Sequence, residues 1–198
     1  MPQRRDKKAT QNEILETAEE LFSRRGFAAT SLAEIARQAG LTKSLIHHHF
    51  GTKEQLWRAI KDRRLEEYRA HQLEMLQEPT LDETTLARSI EGYFSFLRGH
   101  PRLSRMLSWA ILERLDQEEQ ILAVDLIELG VEKIREAQSR GIIRPDLNPL
   151  HIILMFLLAV DNWFISGETV SAQLGGGPEP EAFVRDLTEI VLFGVVPR

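Results

Sequence analysis

The chain has 198 residues, no cysteine and a formal net charge of −5. The length allows one domain or two small ones, and burial of roughly 70% of the unfolded surface makes staples unnecessary. The missing cysteine excludes disulfides, thiolate metal sites and cysteine nucleophiles.

Charge is unevenly spread. Residues 1–61 hold eleven Lys/Arg against seven Asp/Glu, a net of +4, and residues 62–198 hold fourteen against twenty-three, a net of −9. A basic head on an acidic body is expected when one end meets phosphate. The charged start MPQRRDKKAT has no apolar run behind it, so it lacks a secretory pattern and a cytoplasmic location is expected. The longest apolar run, nine residues from Ile152 to Val160, is short of the ~20 that span a bilayer, so no membrane partner is expected.

Helical periodicity runs nearly throughout, and neither sustained period-two alternation nor Asn-Gly hairpin turns occur. The expected fold is all-α with about nine helices. The first spans about 10–25, with Ile14, Leu15, Ala18, Leu21 and Phe22 on one face and Gly26 behind its last turn. Arg4, Arg5, Lys7 and Lys8 precede it as a basic arm. The second opens at Thr30–Ser31, where Ser31 and Glu34 have capping-box spacing, and ends at Gly40. The third runs from Thr42 to Phe50–Gly51. The fourth opens at Thr52 and continues to about Gln77, a length of about 38 Å at ~1.5 Å per residue. Segments near 80–98, 101–115 and 117–139 follow. A loop at 139–149, an apolar helix over about 149–166, a flexible connection at 167–181 and a last helix at about 179–194 complete the chain.

Three adjacent histidines, His47, His48 and His49, raise the question of a metal. Successive helical residues turn by ~100°, so the three imidazoles diverge and cannot share an ion. No metal and no cofactor are expected. On the same wheel Ile46, His49 and Phe50 share an inward face, while Ser44, Leu45, His47 and His48 look outward. A hydroxyl, a leucine and two imidazoles suit the major groove, where they meet base edges, thymine methyls and phosphates. The preceding stretch, TSLAEIARQAGLTKSLIHHHF, reads as helix, tight turn, helix: the helix-turn-helix layout.

The longer stretch ILETAEELFSRRGFAATSLAEIARQAGLTKSLIHHHFGTKEQLWRAI resembles the DNA-binding domain of the TetR family of bacterial transcriptional regulators. The resemblance rests on Ala18, Leu21, Phe22, Gly26 and Phe27, on Thr30-Ser31, on Ile35-Ala36 with Ala39-Gly40-Leu41, and on Phe50 with Lys53-Glu54-Gln55-Leu56. It implies a three-helix DNA-binding domain over residues 1–55 and a helical ligand-binding and dimerisation domain over 56–198. It implies phosphate bonds from Ser31 and Lys53, and an operator-facing set of Thr42, Lys43, Ser44, Leu45, His47 and His48. Two positions depart from the family pattern. His47 stands where tyrosine is usual, and Ala33 where many relatives place a longer polar or basic side chain.

The last two helices are apolar enough to bury against a symmetry mate, so a homodimer is expected through them, as the resemblance also implies. The resemblance further implies a pocket for an unidentified small-molecule effector. The aromatic and polar side chains within the apolar helices supply its candidates: Phe94, Trp109, Glu113, His151, Asn162 and Trp163, with His100 and Asp161 beside them. No nucleophile elbow, zinc-protease or dinucleotide motif occurs, so no enzyme is expected. The reading is a homodimeric repressor released from operator DNA by a ligand. A family activator, or an interaction module without specific DNA binding, remains the alternative.

Overall fold

The computed structural model describes residues 7–76, 81–115, 123–176 and 179–196, without the side chain of residue 67. Among the described residues there are ten α-helices and one π turn, and no strand. They are α1 (Lys7–Arg25), α2 (Leu32–Gln38), α3 (Lys43–Phe50), α4 (Lys53–Leu76), α5 (Glu83–Gly99), α6 (Pro101–Leu112), α7 (Val124–Ser139), α8 (Pro149–Asn162), the π turn (Trp163–Gly167), α9 (Glu168–Gln173) and α10 (Pro180–Val195).

The expected elements are present with shifted ends. Helix α1 begins at Lys7, so Lys7 and Lys8 form its first turn rather than an arm, while Arg4 and Arg5 lie outside the described residues. The 117–139 segment is helical from Val124, and its first residues lie outside the described residues. The expected flexible connection after the apolar helix contains α9, so helix continues unbroken from Pro149 to Gln173. By length and composition alone that run could cross a bilayer, with a mean hydropathy of 1.7 over its most apolar window. Its Ile152, Ile153, Phe156 and Val160 are instead buried among other helices.

The chain divides into two compact units: Met1–Leu65 with Arg102–Leu122, and Glu66–Pro101 with Ala123–Arg198. Each has its own apolar core. In the first unit, Ile14, Ala18 and Phe22 of α1 meet Ile35 of α2, Ile46 of α3, Leu56, Trp57 and Ile60 of α4, and Met106 and Ala110 of α6. Phe22, Phe27 and Trp57 form an aromatic triangle with centroids 5.1 to 5.8 Å apart. The first unit therefore runs past residue 55 and takes in α6, a segment remote in sequence. In the second unit, Leu86 and Ile90 of α5, Ile134 and Ala137 of α7, Ile152, Ile153 and Phe156 of α8, and Val191 and Val195 of α10 close the core.

Candidate nucleic-acid interface

The interface is built by capping. Ser31 is the N-cap of α2, in extended backbone, and its hydroxyl accepts from Glu34 N at 3.2 Å. Glu34 in turn pairs with Arg25 at the end of α1. The helix ends at Ala39, and Leu41 N donates back to Ala36 O at 2.9 Å, which fixes the turn into α3. Thr42 caps α3 by accepting from Leu45 N at 3.2 Å. Gly51 closes α3 at φ 73°, a left-handed backbone that favours glycine. Thr52 and Gln55 then form a reciprocal capping box, with Thr52 N donating to Gln55 Oε1 at 2.8 Å and Gln55 N to Thr52 Oγ1 at 3.2 Å.

Helix α3 presents the face its sequence implies. Ile46 is fully buried, and Lys43, Ser44, His47 and His48 are exposed, with Thr42 exposed at the cap. Leu45 is half-buried, as are His49 and Phe50 on the inner side. Burial, then the neighbouring His48 and Lys7, push the His49 imidazole below its ordinary pKa, so it stays neutral at pH 7. No acidic residue interrupts the helix.

Lys53 is already engaged within the fold. Its ammonium donates to Phe27 O at 2.8 Å and to Thr30 O at 3.0 Å, and lies 4.1 Å from the Phe27 ring centroid. It thereby ties the α1–α2 loop to the start of α4, and the two bonds use two of its three ammonium protons.

Two residues expected at a ligand site, Trp109 and Glu113, lie in this unit. Trp109 Nε1 donates to Ser23 O at 3.3 Å, and Glu113 accepts from Ala28 N at 2.8 Å. Together they brace the end of α1 and the loop into α2. A Cβ at Gly26 would lie 3.0 Å from Trp109 Cε3 and would strike the Glu113 carboxylate, and Gly26 also has φ 81°, so the position requires glycine twice over. Nothing local in the sequence announces this bracing, because its two sides lie about 85 residues apart.

Of the other ligand candidates, Phe94 and Trp163 lie in the second unit and share Phe183 as a neighbour, with centroids 6.0 and 4.2 Å away. His151 and Asn162 are exposed on α8, on the same stripe as Met155 and Leu158. Within the second unit, Phe94 and Trp163 thus share a neighbour, while His151 and Asn162 lie on an exposed stripe.

Residues 14–60 match the model of the N-terminal domain of bacterial regulatory proteins of the tetR family. Residues 87–191, more than half of the chain, match the tetracyclin repressor-like C-terminal domain. The chain belongs to the TetR family.

Among curated relatives of this TetR-family chain is the HTH-type transcriptional repressor SCO4008 of Streptomyces coelicolor, 27% identical over 175 residues that cover 87% of each chain. The HTH-type transcriptional regulator TtgR of Pseudomonas putida is 45% identical over 53 residues, 27% of this chain and 25% of the relative. The fatty acid degradation regulator FadR of Bacillus halodurans shares the fold, with a TM-score of 0.72 at 17% identity over 95% of this chain and 97% of that one. As a TetR-family member the chain is a DNA-binding transcriptional regulator with an N-terminal helix-turn-helix domain.

Proposed function

We propose that the protein is a homodimeric repressor that works in the cytoplasm and leaves its operator when a small molecule binds the second unit. The observation that carries this is the outer face of α3. Thr42, Lys43, Ser44, His47 and His48 stand free of the core while Ile46 is buried, and each side chain can bond a base edge or a phosphate. Leu45 adds an apolar contact for a thymine methyl. The Ser31 hydroxyl and the Lys53 ammonium each keep a proton for the backbone on either side. Exposed apolar side chains on α8 and α10 support pairing with a second copy.

Release is a population shift. Helix α4 contributes residues to both units, so a ligand that prefers a different setting of α4 lowers operator affinity by its differential binding to the two states.

The test is fluorescence anisotropy of the full chain against DNA flanking its own gene, at several salt concentrations. Salt-steep binding with two chains per site is expected, and weak binding equal on random DNA would favour an interaction module instead. The histidines supply a second expected result. Replacing both His47 and His48, exposed on α3, by alanine is expected to weaken operator binding by about tenfold or more. Unchanged operator affinity in the double variant would remove both side chains from the interface.

A further inference from the structure

The second unit contains a carboxylate without a countercharge. Asp161, near the end of α8, is mostly buried and accepts from the Tyr93 hydroxyl at 2.7 Å. No Lys, Arg or His pairs with it among the described residues. Burial pushes its carboxyl above the ordinary aspartate range, against the opposing effect of the Tyr93 hydrogen bond. Arg69 and Arg98, basic side chains of the same unit, are paired elsewhere, with Asp125 and Glu181.

Asp161 acts electrostatically on two tyrosines, Tyr93 and Tyr68. Tyr68 on α4 lies 5.9 Å from Tyr93 and is stacked 4.6 Å from Phe96, and the Phe96 centroid is 4.7 Å from that of His100. One turn beyond Tyr68 on α4, the buried Gln72 Nε2 has no hydrogen-bond partner, and Gly92 leaves it room, since a Cβ there would lie 2.9 Å from that nitrogen. A fold normally satisfies such a donor. Immediately after α8 the backbone widens into the π turn, an irregularity frequent at functional sites. The turn lays the Trp163 ring over Gly167, where a Cβ would lie 2.8 Å from Trp163 Cε3, and leaves the buried indole Nε1 unpartnered. Tyr68 and Asp161 each keep part of their surface accessible.

We propose that Asp161, Tyr93 and Tyr68 form a receptor for the positively charged nitrogen of an apolar organic cation, an aromatic or quaternary amine, and that this is the effector class of the regulator. The assignment rests on the ligand-responsive reading above. The carboxylate supplies the missing countercharge, and the face of Tyr68 turned away from Phe96 attracts the cation and buries its apolar part. The amide of Gln72 donates to an acceptor elsewhere on the same molecule. Tyr68 and Gln72 both lie on α4, so the ligand contacts the helix that reaches the reading unit.

The probes are phenyltrimethylammonium and its neutral isostere tert-butylbenzene, titrated into the full chain and followed by ligand-observed NMR. The cation is expected to bind about tenfold or more tighter than the isostere. Asp161→Asn is expected to lower cation affinity by about tenfold while leaving tert-butylbenzene unchanged. The variant is expected to melt no lower than the wild type at pH 7, since the amide oxygen still accepts from Tyr93 and an uncompensated charge is gone. Tyr68→Leu, with the carboxylate intact, is expected to lower cation affinity several-fold. Equal affinity for the two probes, an Asp161→Asn effect of the same size on both, or no saturable cation binding by about 10 mM would overturn the assignment. Operator binding measured on the same preparation separates the two readings. A chain that holds its operator but ignores the cation has lost only this effector class, and one that binds the cation but no operator has lost the regulator reading.

Discussion

Replacing Leu158 and Phe193 by glutamate together is expected to convert the protein from a dimer to a monomer and to weaken operator binding by about a hundredfold or more. On α8, Met155 and Leu158 are 61% and 55% exposed, and on α10, Ile190 and Phe193 are 66% and 70% exposed. These side chains are largely exposed in a single chain, and burying each fully is worth ~1.5–3 kcal/mol. Across two copies they supply about 10 kcal/mol or more of gross driving force before the cost of association. Four introduced carboxylates per dimer oppose that directly. Because the positions are exposed, the variant monomer keeps its helical circular dichroism. Sedimentation reads the state, at twice the 22.7 kDa chain mass for the wild type and at the chain mass for the variant. The loss on DNA follows from geometry. A dimer places two recognition helices one duplex turn apart, and uncoupling them removes the second contact's effective concentration. A wild type that sediments as a monomer, or a variant that stays dimeric, would overturn this interface.

The reading head was legible because its determinants are local. Ser31 with Glu34, Thr42 with Leu45 and Thr52 with Gln55 are contacts across three residues, and Gly26 and Gly51 mark chain reversals that need positive φ. The inward face of α3 followed from ~100° per residue alone. The second unit was legible only as helices. Its chemistry depends on which faces meet, and residues such as Tyr93 and Asp161, 68 positions apart, give no spacing signal. For the same reason Trp109 and Glu113 resembled pocket residues, although their partners Ser23 and Ala28 lie in the first unit. His151 and Asn162 resembled buried polar groups because α8 is apolar around most of its circumference, and only burial shows which side faces outward. The residue 55 boundary assumed contiguous domains, whereas the first unit continues along α4 to Leu65 and takes in α6.

Arg64→Ala is expected to destabilise the first unit by about 3 kcal/mol, a fall in melting temperature of roughly 6–12 °C. Glu19 of α1 is 1% exposed, although it is charged. Arg64 of α4 meets it with Nε at 3.1 Å from Oε1 and Nη2 at 2.6 Å from Oε2, the bidentate geometry that suits a buried carboxylate. Arg63 reaches the same group only at 3.4 Å and spends its better bond, 2.7 Å, on the exposed Glu16. Removing Arg64 therefore strands a buried charge with one long contact. Both arginines are 26% exposed, which places the cost at the lower end of the ~3–5 kcal/mol range for broken buried pairs. The expectation distinguishes a stranded charge from lost packing. Glu19→Leu combined with Arg64→Met removes both charges and keeps the volume, so it is expected to recover most of the melting temperature lost in Arg64→Ala. If the double variant melts as low as the single one, the pair contributes attraction of its own, and the link between α1 and α4 is electrostatic rather than a matter of shape.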